Sequence, residues 1–377
     1  LGPVRTQVEK TYSAPFATHL FTRETIEHPD GSQSRDYPRL TYGGAHLQDP
    51  VADRGADIAQ RSLVALLQTL VATLALLFIL GTMLARRHHR PVRQALGDIL
   101  AARTSAPWRA ITLATGMVLL LVFLSVNLAG AYHVLGTDKV GQDVFYQAVK
   151  SIRTGLVIGT LTTLVMLPFA ILLGIMAGYL RGWVDDIIQY TYTTLNSIPG
   201  VLLIAAAILM LQVFIANNPE RFETTLERAD IRLLFLCMIL GITSWTGLCR
   251  LLRGESLKLR EIEFIQAAAS FGVSHARIIT RHILPNVMHI VLITVVLDFS
   301  GLVLAEAVLS YIGIGVDPTM NSWGNMINRA RLEMAREPMV WWSLMSAFLF
   351  MFVLVLAANL FSDAVRDAFD PHLRNNR

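Results

Sequence analysis

The chain has 377 residues, of which 53% are hydrophobic and 16% charged, so its apolar content exceeds that of ordinary soluble domains. Its 32 basic and 28 acidic residues leave a net charge of +4, which is too small and too scattered for a nucleic-acid-binding protein. Two cysteines exclude a disulfide scaffold. The composition predicts an all-α, polytopic membrane protein.

In chain order, seven apolar segments are long enough to cross a bilayer, because a span needs about 20 residues in a helix that pairs every backbone N–H and C=O internally. They cover residues 63–85, 110–132, 154–180, 187–214, 231–252, 286–309 and 340–362. A shorter run of apolar residues at helical spacing predicts a separate amphipathic surface helix over 140–152.

The basic residues of the short connections predict the orientation, because cytoplasmic loops of membrane proteins are enriched in Lys and Arg. Residues 86–109 contain six arginines and one aspartate, and residues 250–285 contain six further basic residues, whereas each connection on the opposite side has three. We expect an extracytoplasmic segment at 1–61, an additional transmembrane helix at 62–86, a basic cytoplasmic loop at 87–109, a core of six spans at 110–362 and a cytoplasmic tail at 363–377. An extracytoplasmic start also predicts a further membrane helix ahead of Leu1.

Motifs of membrane enzymes and nucleotide-binding proteins are not found in the sequence. It has no His-Glu-x-x-His pair for zinc and no Gly-x-Ser-x-Gly elbow. Residues 136–141 begin like a phosphate-binding loop, but Gln142 and Asp143 stand where Lys and Ser or Thr are required. His88 and His89 lie among arginines, which favours a solvated basic face over a metal site. We therefore expect no catalysis, cofactor or metal in this chain.

The most informative connection lies between the fifth and sixth predicted spans. Its small helix-forming residues predict a short helix with a flat alanine face over 264–276, Gly272 permits the turn that ends it, and Pro285 marks the start of the next span. Two roles are open for this helix. It either docks into a groove of a partner protein or lies on the inner leaflet as an amphipathic segment.

The same connection, residues 253–285, resembles the EAA loop that marks the membrane subunits of ABC importers. The matching residues are Gln266, Ala267, Ala268, Gly272, Leu284 and Pro285. Gln266 replaces the usual acidic residue and His282 the usual isoleucine. The run that ends in Leu284-Pro285-Asn286 resembles the dipeptide and oligopeptide branch of these permeases, which includes nickel and opine transporters.

Further motifs follow the order of that branch over residues 110–374. They are an outer-surface motif at 133–143 that contains Gly136, Thr137, Asp138, Gly141 and Asp143, and the segments 198–200, 306–315, 322–324 and 366–371. Gln142 and Gln147 stand where the branch usually has arginines.

The resemblance implies an ABC importer type I permease core of six transmembrane helices, to which the helix at 62–86 is an addition. It implies uptake of peptides or related small solutes across the lipid bilayer of the bacterial cytoplasmic (inner) membrane. It further implies a heterodimer with a homologous permease subunit, two cytoplasmic ATPase subunits that hold ATP and Mg²⁺ and couple through the EAA loop, and an extracytoplasmic solute-binding protein. The alternative is a secondary transporter or channel that works without ATPases.

Two pairs of residues inside predicted spans have two interpretations each. Pro199 and Gly200 are expected to kink or break a helix, either as static architecture or as a gate hinge. Asp298 and Glu306 lie at a depth where a charge costs about 2.5–3.5 kcal/mol, so such groups face protein or water. Each either lines the translocation path or fixes helices through a buried hydrogen bond, and the motif around Glu306 favours the second role for that residue.

Overall fold

Among the described residues, seven helices are long and apolar enough to cross a membrane. The structure is a computed structural model that describes residues 2–27, 33–104 and 106–369. The seven helices cover Arg54–His88, Trp108–Ala129, Val144–Leu180, Gly200–Asn217, Thr225–Arg260, His275–Tyr311 and Trp342–Ala368. The prediction of an all-α protein with seven spans is confirmed. Positions 370–377 of the predicted tail, with the end of the 366–371 motif, lie outside the described residues.

The chain divides into two units, Leu1–Tyr146 and Gln147–Arg377. The elements of the first unit are α1 (Gly2–Thr6), β1 (Glu24–Glu27), β2 (Gln33–Asp36), α2 (Arg54–His88), α3 (Val92–Leu100) and α4 (Trp108–Ala129). The two strands form an antiparallel pair in which Glu24 lies opposite Asp36. Pro91 and Pro107 stand immediately before α3 and α4. A proline there prevents the preceding segment from continuing as a helix, and its missing N–H costs no hydrogen bond because the first N–H groups of a helix have no partner within it.

The second unit is built from helices. After α5 (Val144–Leu180), which begins in the first unit, come α6 (Trp183–Ser197), α7 (Gly200–Asn217), α8 (Thr225–Arg260), α9 (Glu263–Ser270), α10 (His275–Ile278), α11 (Leu284–Tyr311), α12 (Trp323–Glu333) and α13 (Trp342–Phe369). A short 3₁₀ turn at Pro219–Arg221 follows α7, and a π turn at Ile279–Ile283 joins α10 to α11.

Two predicted helix boundaries are wrong. The predicted surface helix over 140–152 and the span over 154–180 are one continuous helix, α5, because no proline separates the two apolar patterns and Gly155 stays within the helix. The predicted span over 187–214 is two helices, α6 and α7, since Ile198 and Pro199 adopt extended backbone angles between them. Only α7 of this pair counts among the seven spans.

Two clusters of buried apolar side chains hold the second unit together. One, which contains Trp245 and Leu252, joins α5, α6, α8, α9 and the first part of α11. The other, which contains Ile158 and Leu236, joins α5, α7, α8 and the end of α11. Both cysteines are free and fully buried. Because α5, α8 and α11 contribute to both clusters, these three helices form the framework of this unit.

Candidate functional site

The end of α9 is fixed by its own backbone. The N–H of Val273 donates to the carbonyl of Ala268 at 3.1 Å, and the N–H of Gly272 donates to that of Ala269 at 3.0 Å. These two bonds are the Schellman arrangement, which requires a left-handed residue after the helix. Gly272 supplies it with φ of +77°, a region that glycine occupies without steric cost.

The helix is shorter than predicted. It ends at Ser270, whereas the alanine pattern predicted a helix over 264–276. A second helix begins at His275 instead, because the Schellman turn reverses the chain at Gly272.

One side of α9 packs on the protein and the other is open. Ile265 is 1% exposed and Ala268 is half-buried, so both belong to the packed side. Ala267 is exposed, Phe264 is 48% exposed and Phe271 is 88% exposed. Two aromatic rings next to an open alanine form an apolar surface, hereafter the α9 face, in an otherwise polar connection.

Polar contacts join the residues on either side of α9 to the end of α5. Arg181 Nη2 lies 2.6 Å from Glu261 Oε1, and Arg260 Nη1 donates to the carbonyl of Tyr179 at 2.8 Å. The Tyr179 hydroxyl lies 3.0 Å from His275 Nδ1. These residues line a cavity of about 510 Å³ together with Ile265, Gln266 and Ala269 of α9.

A partly buried ion pair fixes the same end of α8 to α6. Arg253 donates from Nε to Asp185 Oδ1 at 2.6 Å and from Nη2 to Oδ2 at 2.7 Å, a bidentate arrangement. In the EAA position, the Gln266 amide donates to the Glu261 carbonyl at 3.3 Å. The predicted coupling residues therefore stand on a rigid base made from α5, α6 and α8.

The Leu284-Pro285 pair begins α11, as the sequence predicts for a span entry. Pro285 has no N–H to donate to the carbonyl four residues earlier, and the preceding residues, Ile279–Ile283, form a π turn. The Asn286 side chain donates to the carbonyl of His282 at 2.6 Å.

The Pro199-Gly200 pair breaks the chain between two helices. Pro199 is the residue before α7 and Gly200 is its first residue. A Cβ at Gly200 would meet no described atom within 4 Å, so steric crowding does not demand glycine there.

The two acids of α11 have different surroundings. Glu306 is 2% exposed and accepts a hydrogen bond of 2.6 Å from the Ser310 hydroxyl, one turn later on the same helix. Ser322, just before α12, also hydrogen-bonds to Glu306. Asp298 is half-buried. Glu306 thus ties α11 to the start of α12, whereas Asp298 lies on a more open part of the helix.

The outer-surface motif of residues 133–143 binds the chain's own N-terminal segment. The N–H of Glu9 donates to the carbonyl of Gly141 at 2.9 Å, and a Cβ on Gly141 would overlap the Glu9 carbonyl. The Thr137 hydroxyl donates to the carbonyl of Thr11 at 2.8 Å, while the N–H of Ser13 donates to Thr137 Oγ1 at 2.7 Å.

The turn of residues 136–142 also has an internal structure of its own. Gly136 and Gly141 have φ of +72° and +74°. Asp138 accepts N–H bonds from two residues inside the same turn, at Val140 and Gln142.

At the centre of this contact lies a buried histidine between two carboxylates. His133 Nδ1 is 2.7 Å from Asp143 Oδ2, and Nε2 is 3.3 Å from Glu9 Oε1. All three side chains are at most 2% exposed. Burial opposes a charged imidazole, but the two carboxylates outweigh it and raise the pKa of His133 to about 9.

The carboxylate of Glu9 is also held by the backbone of residues 41–43. The N–H groups of Thr41, Tyr42 and Gly43 donate to it at 2.9, 2.8 and 3.1 Å. Burial alone would raise the pKa of Glu9, but the bonds from His133 and from these three N–H groups lower it to about 2. The structure thus pairs a charged Glu9 with a charged His133.

Sequence reasoning missed Glu9, Asp185 and Arg253. Glu9 bonds to a residue 124 positions away, and the Asp185–Arg253 pair spans 68 positions. No local pattern marks any of them. Among the described residues, no group of three His, Cys, Asp or Glu side chains is arranged to hold a metal ion.

Comparison with protein families decides the kind of protein. The family described as "Binding-protein-dependent transport system inner membrane component" matches residues 170–375, more than half of the chain. The chain belongs to this family. The matched range includes α9, the Leu284-Pro285 pair and both acids of α11, and it excludes residues 133–143.

The permease is also similar to named transport proteins. It is 32% identical over 243 residues to the glutathione transport system permease protein GsiD of Pectobacterium atrosepticum. The aligned region covers 64% of this chain and 74% of that protein. It is 32% identical over 248 residues to the oligopeptide transport system permease protein OppC of Mycobacterium tuberculosis, over 66% of this chain and 79% of that protein. The dipeptide transport system permease protein DppC of Bacillus subtilis is 28% identical over 244 residues, or 65% and 70% of the two chains.

Among solved structures, the permease is similar to the MetNI methionine ABC transporter in inward-facing conformations. The TM-score is 0.46 and the identity 14%, over 59% of this chain and 96% of the other. The family and the named relatives confirm the sequence interpretation as an ABC importer permease and disfavour a secondary transporter. As a permease component, the chain is a multi-pass membrane protein and not itself the catalytic part of its system.

Proposed function

We propose that this permease forms half of the translocation pathway of an ATP-driven importer for peptides or related small solutes in the bacterial cytoplasmic membrane. Support for the substrate class comes from the relatives named above, whose names specify glutathione, oligopeptides and dipeptides. The partners are a homologous permease subunit, two cytoplasmic ATPase subunits and an extracytoplasmic solute-binding protein. ATP and Mg²⁺ bind in the ATPase subunits, and this chain needs no cofactor.

The α9 face carries this proposal. Phe271 is 88% exposed at the end of a helix that a Schellman turn and the contacts at Tyr179 hold in place. An exposed aromatic side chain on a helix that is held in place is suited to a groove of a partner subunit, because the helix loses little conformational freedom on binding. In this role α9 receives the movement of the ATPase subunits and passes it to α8, Leu284 and Pro285.

Removing the aromatic ring tests the docking role. Phe271→Ala should reduce co-purification of the ATPase subunits with the permease, because an exposed anchor residue typically contributes 1 kcal/mol or more to binding (about five-fold in affinity). Leu332→Ala on α12 is the control, since Leu332 is also exposed, at 70%, but lies on a different connection. Equal recovery of the ATPase subunits with both variants would contradict docking through the α9 face and favour its attachment to the inner leaflet.

Coupling is tested at Gly272. Gly272→Val should separate ATP hydrolysis from transport, because valine in a left-handed conformation strains the turn that ends α9. Gly313→Val is the control, since Gly313 has φ of +88° and, like Gly272, has no described atom within 4 Å of its Cβ position, but it lies in the turn after α11. Normal transport by an assembled Gly272→Val complex would remove the coupling role.

The orientation is tested with introduced cysteines, because both natural cysteines are buried. Ala52→Cys, in the segment 1–61, should react with a membrane-impermeant thiol reagent in intact spheroplasts. Gln94→Cys, in the basic loop 87–109, should react only after lysis. Both side chains are exposed. The reverse pattern would overturn the proposed topology.

The substrate class is tested in proteoliposomes that contain the full complex and its binding protein. Uptake of labelled dipeptides and tripeptides should require ATP on the side of the membrane opposite to the binding protein. Uptake of a nickel chelate but of no peptide would reject the peptide assignment and leave the importer assignment intact, whereas uptake without ATP would reject the importer.

A further inference from the structure

A groove lies in the first unit between α2 and α4, with α3 at one end. It has a volume of about 550 Å³. α2 contributes its side from Leu66 to Leu77, α4 contributes from Arg109 to Leu120, and α3 contributes Ile99 and Leu100. Leu66 of α2 is 50% exposed and Leu113 of α4 is 65% exposed, so the groove opens sideways toward the membrane lipid.

The shape of the groove follows from the packing of the three helices. Gln68 pairs with Asn127, and Thr73 faces Gly116, so α2 and α4 run antiparallel. A Cβ at Gly116 would lie 3.2 Å from Thr73 Oγ1, which shows how closely the helices approach at the back of the groove.

The amphipathic helix α3 folds back to close one end of the groove. A Cβ at Gly81 of α2 would lie 2.6 Å from Leu96 Cδ2 of α3, and Ile99 is fully buried. The basic segment that contains α3 therefore forms the floor, and the walls rise from it into the membrane.

The length of the groove matches one leaflet. From Leu66 to Leu77, eleven residues at about 1.5 Å each give roughly 16 Å, about half of the ~30 Å hydrocarbon core. A membrane helix of a partner subunit would need contact along the full core. A single acyl chain needs only this half.

The charge at the closed end specifies the headgroup. Among the described residues that line the groove, Arg109 alone is charged. The surrounding segment, residues 86–109, has six arginines and one aspartate, and that aspartate, Asp98, pairs with Arg90 at 3.4 Å. The Arg109 guanidinium is thus left for an anion at the level where phospholipid phosphates lie.

We propose that the groove binds one anionic phospholipid from the leaflet on the basic side, with an acyl chain between α2 and α4 and its phosphate against Arg109. Arginine suits this position because its planar donors bind phosphate bidentately. The basic segment around it attracts anionic headgroups in general. A lipid held here would fasten α3 and the α2–α4 pair into one anchored block.

A second hollow in the same helix pair provides an internal comparison. It has a volume of about 460 Å³ and lies along Val64, Leu67, Val71 and Phe123. No charged side chain is found among its described lining residues. It should take acyl chains without preference for the headgroup.

Native mass spectrometry of the full-length permease in detergent tests the headgroup. The probes are phosphatidylglycerol and phosphatidylcholine with identical acyl chains. Phosphatidylglycerol should bind more tightly, because both lipids carry a phosphate but the basic segment repels the choline ammonium of phosphatidylcholine. Arg109→Gln should weaken phosphatidylglycerol binding about ten-fold, because a charge-assisted hydrogen bond to phosphate is lost. Arg93→Gln removes the same charge from the same segment outside the groove, and it should weaken binding less than about two-fold.

A second pair of variants tests the groove itself. Met117 lines it and Val118 does not, although both are exposed neighbours on α4. Met117→Trp should abolish the tight phosphatidylglycerol adduct by filling the space, whereas Val118→Trp should leave it unchanged.

Three results would overturn the proposal. One is equal binding of the two lipids, which would make the groove a non-selective acyl site. Another is binding that survives both Arg109→Gln and Met117→Trp. The last is an adduct that is present on the isolated permease but lost from the assembled transporter, which would mean that a partner subunit covers the groove.

Discussion

Glu9→Gln removes a charge at the centre of the contact between the N-terminal segment and residues 133–143. The carboxylate of Glu9 accepts three backbone N–H bonds and faces a charged His133. Glutamine keeps the size of the side chain but offers one acceptor oxygen, and its NH₂ group would point at an N–H donor. At least one buried donor would lose its partner, which costs about 1–3 kcal/mol, and the imidazolium would lose one of its two counter-charges.

Two further estimates of the free-energy cost of Glu9→Gln have a similar magnitude. Removing one member of a buried ion pair costs about 3–5 kcal/mol. The pKa of Glu9 falls from its usual 4.5 to about 2, which at about 1.4 kcal/mol per pKa unit corresponds to about 3 kcal/mol. The local opening equilibrium should therefore increase roughly 100-fold.

Hydrogen–deuterium exchange of residues 38–47 measures this change directly, because three amides of this peptide donate to Glu9. Glu24→Gln is the control. Its partner Lys10 is 72% exposed, so the loss should stay below about 1 kcal/mol. If the peptide exchanges at the wild-type rate in Glu9→Gln, or equally fast in both variants, the reasoning about this buried pair is wrong.

Three further predictions concern other perturbations. Gly141→Ala should detach the N-terminal segment and make it sensitive to protease, because the new Cβ would overlap the Glu9 carbonyl. Gly313→Ala is the control, since Gly313 has φ of +88° but no described atom within 4 Å of its Cβ position. It should cost only about 1–2 kcal/mol of stability and leave the N-terminal segment protected. The opening free energy of residues 38–47, from exchange corrected for intrinsic rates, should decrease as the pH falls from about 4.5 toward 2 and Glu9 is protonated. It should also decrease as the pH rises from about 6.5 through 9 and His133 loses its proton, and a flat profile would contradict both assignments. Asp298→Asn should lower transport of cationic peptides with assembly and basal ATP hydrolysis preserved if the carboxylate lines the path, and it should lower thermal stability instead if it joins helices.

The sequence predicts the spans well because each depends on a long apolar run that local composition reveals. The break between α6 and α7 is also marked locally, by Pro199. The helix α5 was divided wrongly, since a change from an amphipathic to an apolar pattern does not by itself end a helix.

The short helix α9 was predictable for a different reason. Ala267, Ala268 and Gly272 encode a short helix and its end within seven residues, so spacing alone carries the information. The contacts that hold this helix were not predictable, because the Asp185–Arg253 pair joins helices far apart in the chain. The motif at 133–143 was recognised, but its contact with Glu9 depends on a fold that no local pattern encodes.

The length and fastening of α8 have a mechanical consequence. Its 36 residues make a rod of roughly 54 Å, longer than the ~40–45 Å of a bilayer with its headgroups, and no proline interrupts it. At one end Arg253 clamps it to Asp185, and at the other Arg232 donates to the carbonyl of Gly315 at 3.0 Å, in the turn after α11. In the proposed coupling role, a displacement of α8 near α9 would reach that distant turn as the movement of one stiff helix, because no kink lies between the two ends.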